Sequence, residues 1–263
     1  MSEPVLYAVN GDIGTLTFNR PRQMNALDPS AIHVFCEVCE RAETDPRARV
    51  LVLRGAGAAF VAGGDVASFK ENLADFSQQV IPLAGELHRG IMALRRARKP
   101  VIASVHGAVA GAGMSIMMAC DLIVAAEGTQ FTMAYSRIAT SPDGGSTWFL
   151  PRLVGYHKAM ELLLLADTVD ARVLQDLGVI NRVVPAADLE GVTLQLAQRL
   201  AAGPAVAYAE TKALVNTQLK QELMDHLAAE AQAFSRCASH ADFAEGVTAF
   251  VDKRKAIFGG TTE

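Results

Sequence analysis

Apolar positions along the chain fall into short β-branched runs that alternate with helical spacing. Val5–Val9 and Gly14–Phe18 flank Asn10-Gly11-Asp12, and Asn-Gly between two apolar runs predicts a tight hairpin. Asn19 to Leu27 reads as a loop. Asp28 followed by Pro29 predicts a helix start, with the helix running to about Asp45 and Pro46 ending it. Arg49–Gly55 reads as a buried strand. The Gly- and Ala-rich stretch that follows closes on Gly63-Gly64-Asp65, ahead of a helical segment. The polar segment Lys70–Gln79 reads as variable, and Ile81–Arg98 as a helix with a basic end that suits the negative end of its dipole.

The middle of the chain centres on Val101–Ala126. It reads as a buried strand, a turn carrying Gly107, Gly111 and Gly113, a small-residue helix Ala112–Ala119, and a second strand. Thr129–Tyr135 is extended and Ser136–Gly145 is a loop. Helices Ser146–Leu153 and Tyr156–Leu165 are split by Gly155, and Asp170 caps Ala171–Leu177. Val179–Val184 reads as a strand. Helices then dominate: Leu189–Ala202, Pro204–Asn216, Leu219–Ser235 and Ala241–Arg254. Ser239 and Asp242 are spaced as a capping box for the last of them. The two strand-to-helix units, each with a Gly-rich turn at the strand's end, predict a wound α/β core. The helical last third would dock on that core.

Composition narrows the class. Of 263 residues, 51% are hydrophobic and 20% charged, so the chain can bury a sizeable core. A net charge of −4 offers no general attraction to nucleic acid or an anionic membrane. No apolar run reaches the roughly 18 residues that span a bilayer, and the N-terminus lacks the pattern of a signal peptide. The expected location is the cytoplasm. Cys36 and Cys39 lie in phase with Ile32 and Phe35 and read as buried thiols. No second pair completes a metal site, so none is expected.

The chemistry starts from backbone. The first N–H groups of a helix lack intrahelical partners and lie at its positive end. If the turns at Gly64 and Ala112 lie side by side, each can give one N–H to a single oxygen, which is an oxyanion hole. Proton transfer then needs a side chain. Ser115 is not in a nucleophile elbow, because Met117 replaces the second glycine, and it reads as a packing or polarising group. His106 reads as structural and His88 as a helix histidine. Asp143, between Pro142 and Gly144-Gly145, reads either as a turn residue or as the acid–base group.

Several motifs stand in order: Asn19-Arg20-Pro21 with Asn25-Ala26-Leu27, Ala59 to Asp65, Lys99 to Ala108, Cys120-Asp121-Leu122, and Phe250 to Arg254. Through them the chain resembles the crotonase (enoyl-CoA hydratase/isomerase) superfamily over nearly its whole length. The resemblance implies a spiral of β-β-α units, residues 1–200, binding an acyl-CoA thioester as substrate, with no separate cofactor. It implies a helical trimerisation region, residues 201–263, in a homotrimer or a dimer of trimers. The thioester carbonyl would sit between the N–H groups of Gly64 and Ala112. Arg22, Ala26, Ala62, Gly63 and Asp65 would line the CoA site, and Phe250 and Lys253 would reach its nucleotide end, often across a subunit boundary. Family hydratases use two glutamates, and Ser115 and Tyr135 stand in their places. Tyr135 would shape the acyl pocket or donate a hydrogen bond. Asp143 matches the catalytic aspartate of some family isomerases, and the pattern around it is most similar to phenylacetate-pathway isomerases. The expected activity is therefore a 3-enoyl to 2-enoyl isomerisation with Asp143 as proton shuttle. The alternatives are displacement on an aromatic acyl-CoA, with Asp143 as nucleophile and His88 as base, a non-catalytic acyl-CoA-binding protein, and an atypical hydratase.

Overall fold

The hairpin predicted from Asn10-Gly11 opens the structure. In the computed structural model, which describes residues 3–71 and 76–259, β1 (Val5–Asn10) and β2 (Ile13–Phe18) pair antiparallel, with Gly11 at φ +55° in the turn. A short 3-10 turn, Pro21–Gln23, follows. Helix α1 (Pro29–Thr44) starts where expected, and the Asp28 carboxylate accepts the Ala31 N–H at 2.7 Å.

The chain then lays down β3 (Val50–Gly55), α2 (Val66–Glu71), α3 (Phe76–Arg96), β4 (Val101–Val105), β5 (Ala108–Ala110), α4 (Ala112–Met118), β6 (Leu122–Ala126) and β7 (Gln130–Thr132). Next come α5 (Ser146–Val154), α6 (Tyr156–Leu165), β8 (Val169–Asp170), α7 (Ala171–Asp176), β9 (Arg182–Val184), α8 (Leu189–Ala201), α9 (Ala205–Thr217), α10 (Leu223–Ala238) and α11 (Ala241–Val251). Among the described residues, one sheet has the order β1-β2-β3-β4-β6-β9, parallel from β2 onward. A second sheet has the order β5-β7-β8. The two strand-to-helix units thus do stand side by side, as β3 and β4.

The core fills the space between the sheets and the helices. Phe18 lies between Phe35 and Phe60, each with its ring centroid 5.5 Å away, and all three are fully buried. Cys36 and Cys39 are buried on α1 as their phase requires. Helix α9 docks through Lys212, whose ammonium donates to Leu94 O at 2.8 Å and Lys99 O at 3.2 Å and pairs with Asp121 at 2.7 Å. Glu210 on the same helix pairs with both Arg98 and Arg236, each at 2.6 Å.

Several expectations are corrected. Helix α3 begins at Phe76, earlier than Ile81, and takes up part of the segment read as variable; residues 72–75 of that segment lie outside the described residues. The Gly-rich turn after β4 hides a strand, β5, too short to show a period. Tyr135 closes no strand but opens a 3-10 turn, Tyr135–Ile138. The run Val179–Val184 is a strand only over Arg182–Val184, and the stretch from Leu219 is broken by Glu222 ahead of α10. The cap of α11 is the ring of His240, which accepts the Asp242 N–H at 3.2 Å. Ser239 instead donates back to Ser235 O at 2.9 Å, because it ends the preceding helix.

Candidate active site

Two isolated bridges bring the turns together. Val61 pairs with Val109 and Leu27 with Gly64, both parallel. Leu27 N–H donates to Gly63 O at 2.8 Å and Asp65 N–H to Leu27 O at 2.9 Å, while Ala110 N–H donates to Val61 O at 3.0 Å. In a parallel bridge of this kind the Gly64 N–H points away from Leu27, since its neighbours make the bonds. Among the described residues it has no acceptor, and neither has the N–H of Ala112, the first residue of α4.

Glycine is required for this approach. A Cβ at Gly63 would lie 3.3 Å from Ala110 O, and one at Gly113 would lie 2.2 Å from Val61 O. Gly63 (φ +98°) and Gly111 (φ +47°) also hold left-handed backbone. The result is two unpaired N–H groups on adjoining turns, with the Phe69 ring packed against Gly64, where a Cβ would lie 2.7 Å from it.

The third component is the loop ahead of α5. The Tyr135 hydroxyl donates to Asp143 Oδ1 at 2.7 Å. Burial, and next the nearby Asp143 charge, push the Tyr135 phenol well above its ordinary value, so it stays protonated and remains the donor. The Ser115 and Ser146 hydroxyls each lie 3.1 Å from Asp143 O and 2.5 Å from one another, so one donates to its neighbour and the other to the carbonyl. Both serines are fully buried. Gly144 rests on Ser115, and a Cβ there would meet Ser115 Cβ at 2.8 Å. Tyr135 also connects the loop to the turns, because a Cβ at Gly111 would lie 3.9 Å from its ring. Asp143 is therefore fixed at its carbonyl by the serine pair and at its carboxylate by a phenol.

Arg20 and Asn25 tie together the segment that carries Gly64, a role the sequence motifs did not reveal. Arg20 pairs with Asp28 at 2.8 Å and Asp65 at 3.1 Å and donates to Ala26 O. Asn25, buried at φ +58°, donates to Ala56 O at 2.9 Å and Ala59 O at 2.8 Å and accepts the Arg20 N–H at 2.8 Å. Ala62 N–H donates to Met24 O at 3.1 Å. Ala26, Ala62, Gly63 and Asp65 thus sit in one tied segment beside Gly64. Asp65 is committed to Arg20 and to the start of α2, where it accepts the Ser68 N–H at 3.4 Å. Arg22 is exposed on the 3-10 turn.

Two expected residues are not brought to this place within one chain. Phe250 is 86% exposed and Lys253 follows the end of α11 at φ +55°. Among the described residues neither bonds to the elements that carry Gly64, Ala112 or Asp143. His88 is exposed on α3 and lines a cavity of about 670 Å³ that reaches Gly144 and Gly145. His106 Nε2–H donates to Gly57 O at 2.9 Å and is structural. Among the described residues no group of His, Cys, Asp or Glu could hold a metal, and no helix is long and apolar enough to cross a membrane.

Unpaired backbone N–H groups are the kind of donor that can polarise a carbonyl, and a held carboxylate is the kind of group that can move a proton. The chain belongs to the enoyl-CoA hydratase/isomerase family, whose model matches residues 8–261. It is 35% identical to a "Probable enoyl-CoA hydratase" of Rhodobacter capsulatus, over 97% of this chain and 98% of that one. It is 33% identical to the 1,2-epoxyphenylacetyl-CoA isomerase of Escherichia coli, over 99% of this chain and 100% of that one. A solved enoyl-CoA hydratase from Polaromonas sp. JS666 superposes with a TM-score of 0.92 at 36% identity, covering 97% of this chain and 99% of that one. The fold is accordingly the crotonase fold.

Proposed function

We propose that the protein is an acyl-CoA double-bond isomerase that converts a 3-enoyl thioester to the 2-enoyl form. The thioester oxygen accepts the N–H groups of Gly64 and Ala112. Asp143 removes a proton from the α-carbon, the electrons move through a dienolate held by those donors, and the same carboxyl returns the proton to the γ-carbon. Each donor of such a hole contributes about 3 kcal/mol in comparable sites. One carboxylate and two N–H groups complete this chemistry, since nothing is added to the substrate and no water has to be activated.

The observation that carries the reading is the 2.7 Å bond from Tyr135 to Asp143. The phenol stands where a hydratase keeps a glutamate, and it supports the aspartate in place of a water. Phe250 and Lys253 are placed in this proposal on a neighbouring copy's CoA, in a trimer or a dimer of trimers. Their exposure supports that assignment.

The names of several relatives favour a second reading, hydration of a 2-enoyl-CoA. One experiment separates the two. The protein is incubated with 3-enoyl-CoA and with 2-enoyl-CoA, alongside Asp143→Asn. Conversion of the 3-enoyl substrate that the substitution abolishes supports the isomerase. Formation of 3-hydroxyacyl-CoA that survives Asp143→Asn would replace it with the hydratase.

A further inference from the structure

The cavity of about 670 Å³ starts at the loop that holds Asp143 and runs along α3 and α5 toward α9. Its near wall is continuous with the site. A Cβ on Gly144 would lie 3.4 Å from Ile91 Cδ1, and one on Gly145 would lie 2.8 Å from the Phe149 ring. Beyond them, Met92 and Trp148 make the walls largely apolar. One helical turn past Ile91, about 6 Å further along α3, stands Arg95.

Arg95 differs from three neighbouring cations, Arg96, Arg98 and Lys212, and shares with Lys220, which also lines the cavity, the lack of a carboxylate partner among the described residues. Arg96 pairs with Glu43 at 3.1 Å, Arg98 with Glu210 at 2.6 Å, and Lys212 with Asp121 at 2.7 Å. Arg95 has no carboxylate within ion-pair distance among the described residues. Its guanidinium lies 5.6 Å over the Phe149 ring, and one Nη donates to the amide oxygen of Asn216. The Asn216 amide in turn donates to Arg95 O at 2.8 Å, which fixes the pair. Nε and the other Nη have no acceptor among the described residues. Arg95 lines this cavity and also the adjoining one of about 640 Å³. Burial pulls its pKa below the ordinary arginine value, with the Asp121 charge acting against that. Asp121 itself is neutralised by Lys212. A half-buried guanidinium with donors left over, beside a largely apolar cavity, suits a carboxylate, since its planar fork matches a carboxylate's two oxygens.

We infer that the acyl group taken by this site ends in a carboxylate, which Arg95 binds, so that the substrate is a CoA half-thioester of a dicarboxylic acid. The inference rests on placing the reacting carbons beside Asp143 and extends that reading to the other end of the chain.

Binding of saturated thioesters tests it without any turnover. Adipoyl-CoA is compared with hexanoyl-CoA, and suberoyl-CoA with octanoyl-CoA, by calorimetry on the whole protein. The diacid of at least one pair is expected to bind about tenfold or more tightly than its monoacid. Arg95→Met removes that preference and leaves monoacid affinity unchanged, and Arg95→Lys retains part of it. Equal binding or a monoacid preference in both pairs would overturn the inference. So would a diacid preference that survives Arg95→Met. Because these thioesters cannot isomerise, a failure of the isomerase reading leaves this measurement intact. A missing diacid preference likewise leaves the isomerase standing.

Discussion

The two halves of the candidate site are built from different materials. The half that holds the carbonyl is backbone: two turns in which Gly63, Gly111 and Gly113 let strands approach, with no functional side chain at all. The half that moves the proton is side chain: Asp143 with Tyr135, Ser115 and Ser146 around it. The first has no groups to exchange, and at Gly113 it tolerates no added volume. The second takes its chemistry from side chains that lock one another in place, while the first presents two donors that no side chain supplies.

That contrast is open to attack from both sides. Asp143→Asn removes the proton carrier and is expected to lower kcat about a thousandfold while thioester binding persists. A loss confined to KM would show that the aspartate only shapes the pocket. Gly113→Ala strikes the other half. Its methyl would fall 2.2 Å from Val61 O, so the first turn of α4 must shift and carry the Ala112 N–H with it. Stability should fall by about 1–3 kcal/mol in denaturant titration, with isomerase activity lost as well. Unchanged activity would separate the turn from catalysis.

Tyr135→Phe is a smaller perturbation. It deletes one charge-assisted bond and should cost about tenfold in kcat/KM. Because the phenol is held protonated, the wild-type rate should show no fall near pH ~10, where an ordinary tyrosine ionises. Smallest is a control remote from both halves. Arg236 and Arg98 hold the Glu210 carboxyl down to about 2 from 4.5. A lowered folded-state value stabilises above the unfolded value and is lost as pH falls through the folded one. The melting temperature should therefore drop between pH about 4.5 and about 2, and Glu210→Gln should flatten that drop without altering the rate at neutral pH.

The backbone half was the more legible one in sequence. Glycines at close approaches leave a spacing that survives in one chain, and the strands that precede them, β3 and β4, are apolar runs rich in β-branched residues. Asp143 was visible as a candidate because Pro142 and two glycines isolate it. Its partners were less so. Nothing in the local pattern says that Tyr135 reaches Asp143 or that Ser115 and Ser146 touch, since these contacts join separate elements. Arg20 and Asn25 carry their information in tertiary bonds to carbonyls and carboxylates, which no periodicity encodes. The strand β5 has three residues, too few for alternation to register. Ser239 misled because it completes one helix just as the next begins, and its hydroxyl serves the earlier one.

Gly144 lying on Ser115 bears on how such a site can be altered. With Ser115 fully buried and a Cβ already too large for the facing position, there is no room for a longer acid at 115 while the 143–146 turn keeps its shape. Ser115→Glu alone would displace the turn and Asp143 with it, before any water could be activated. A two-acid site would need the turn rebuilt in the same step, and a designer wanting hydration here should begin with the loop.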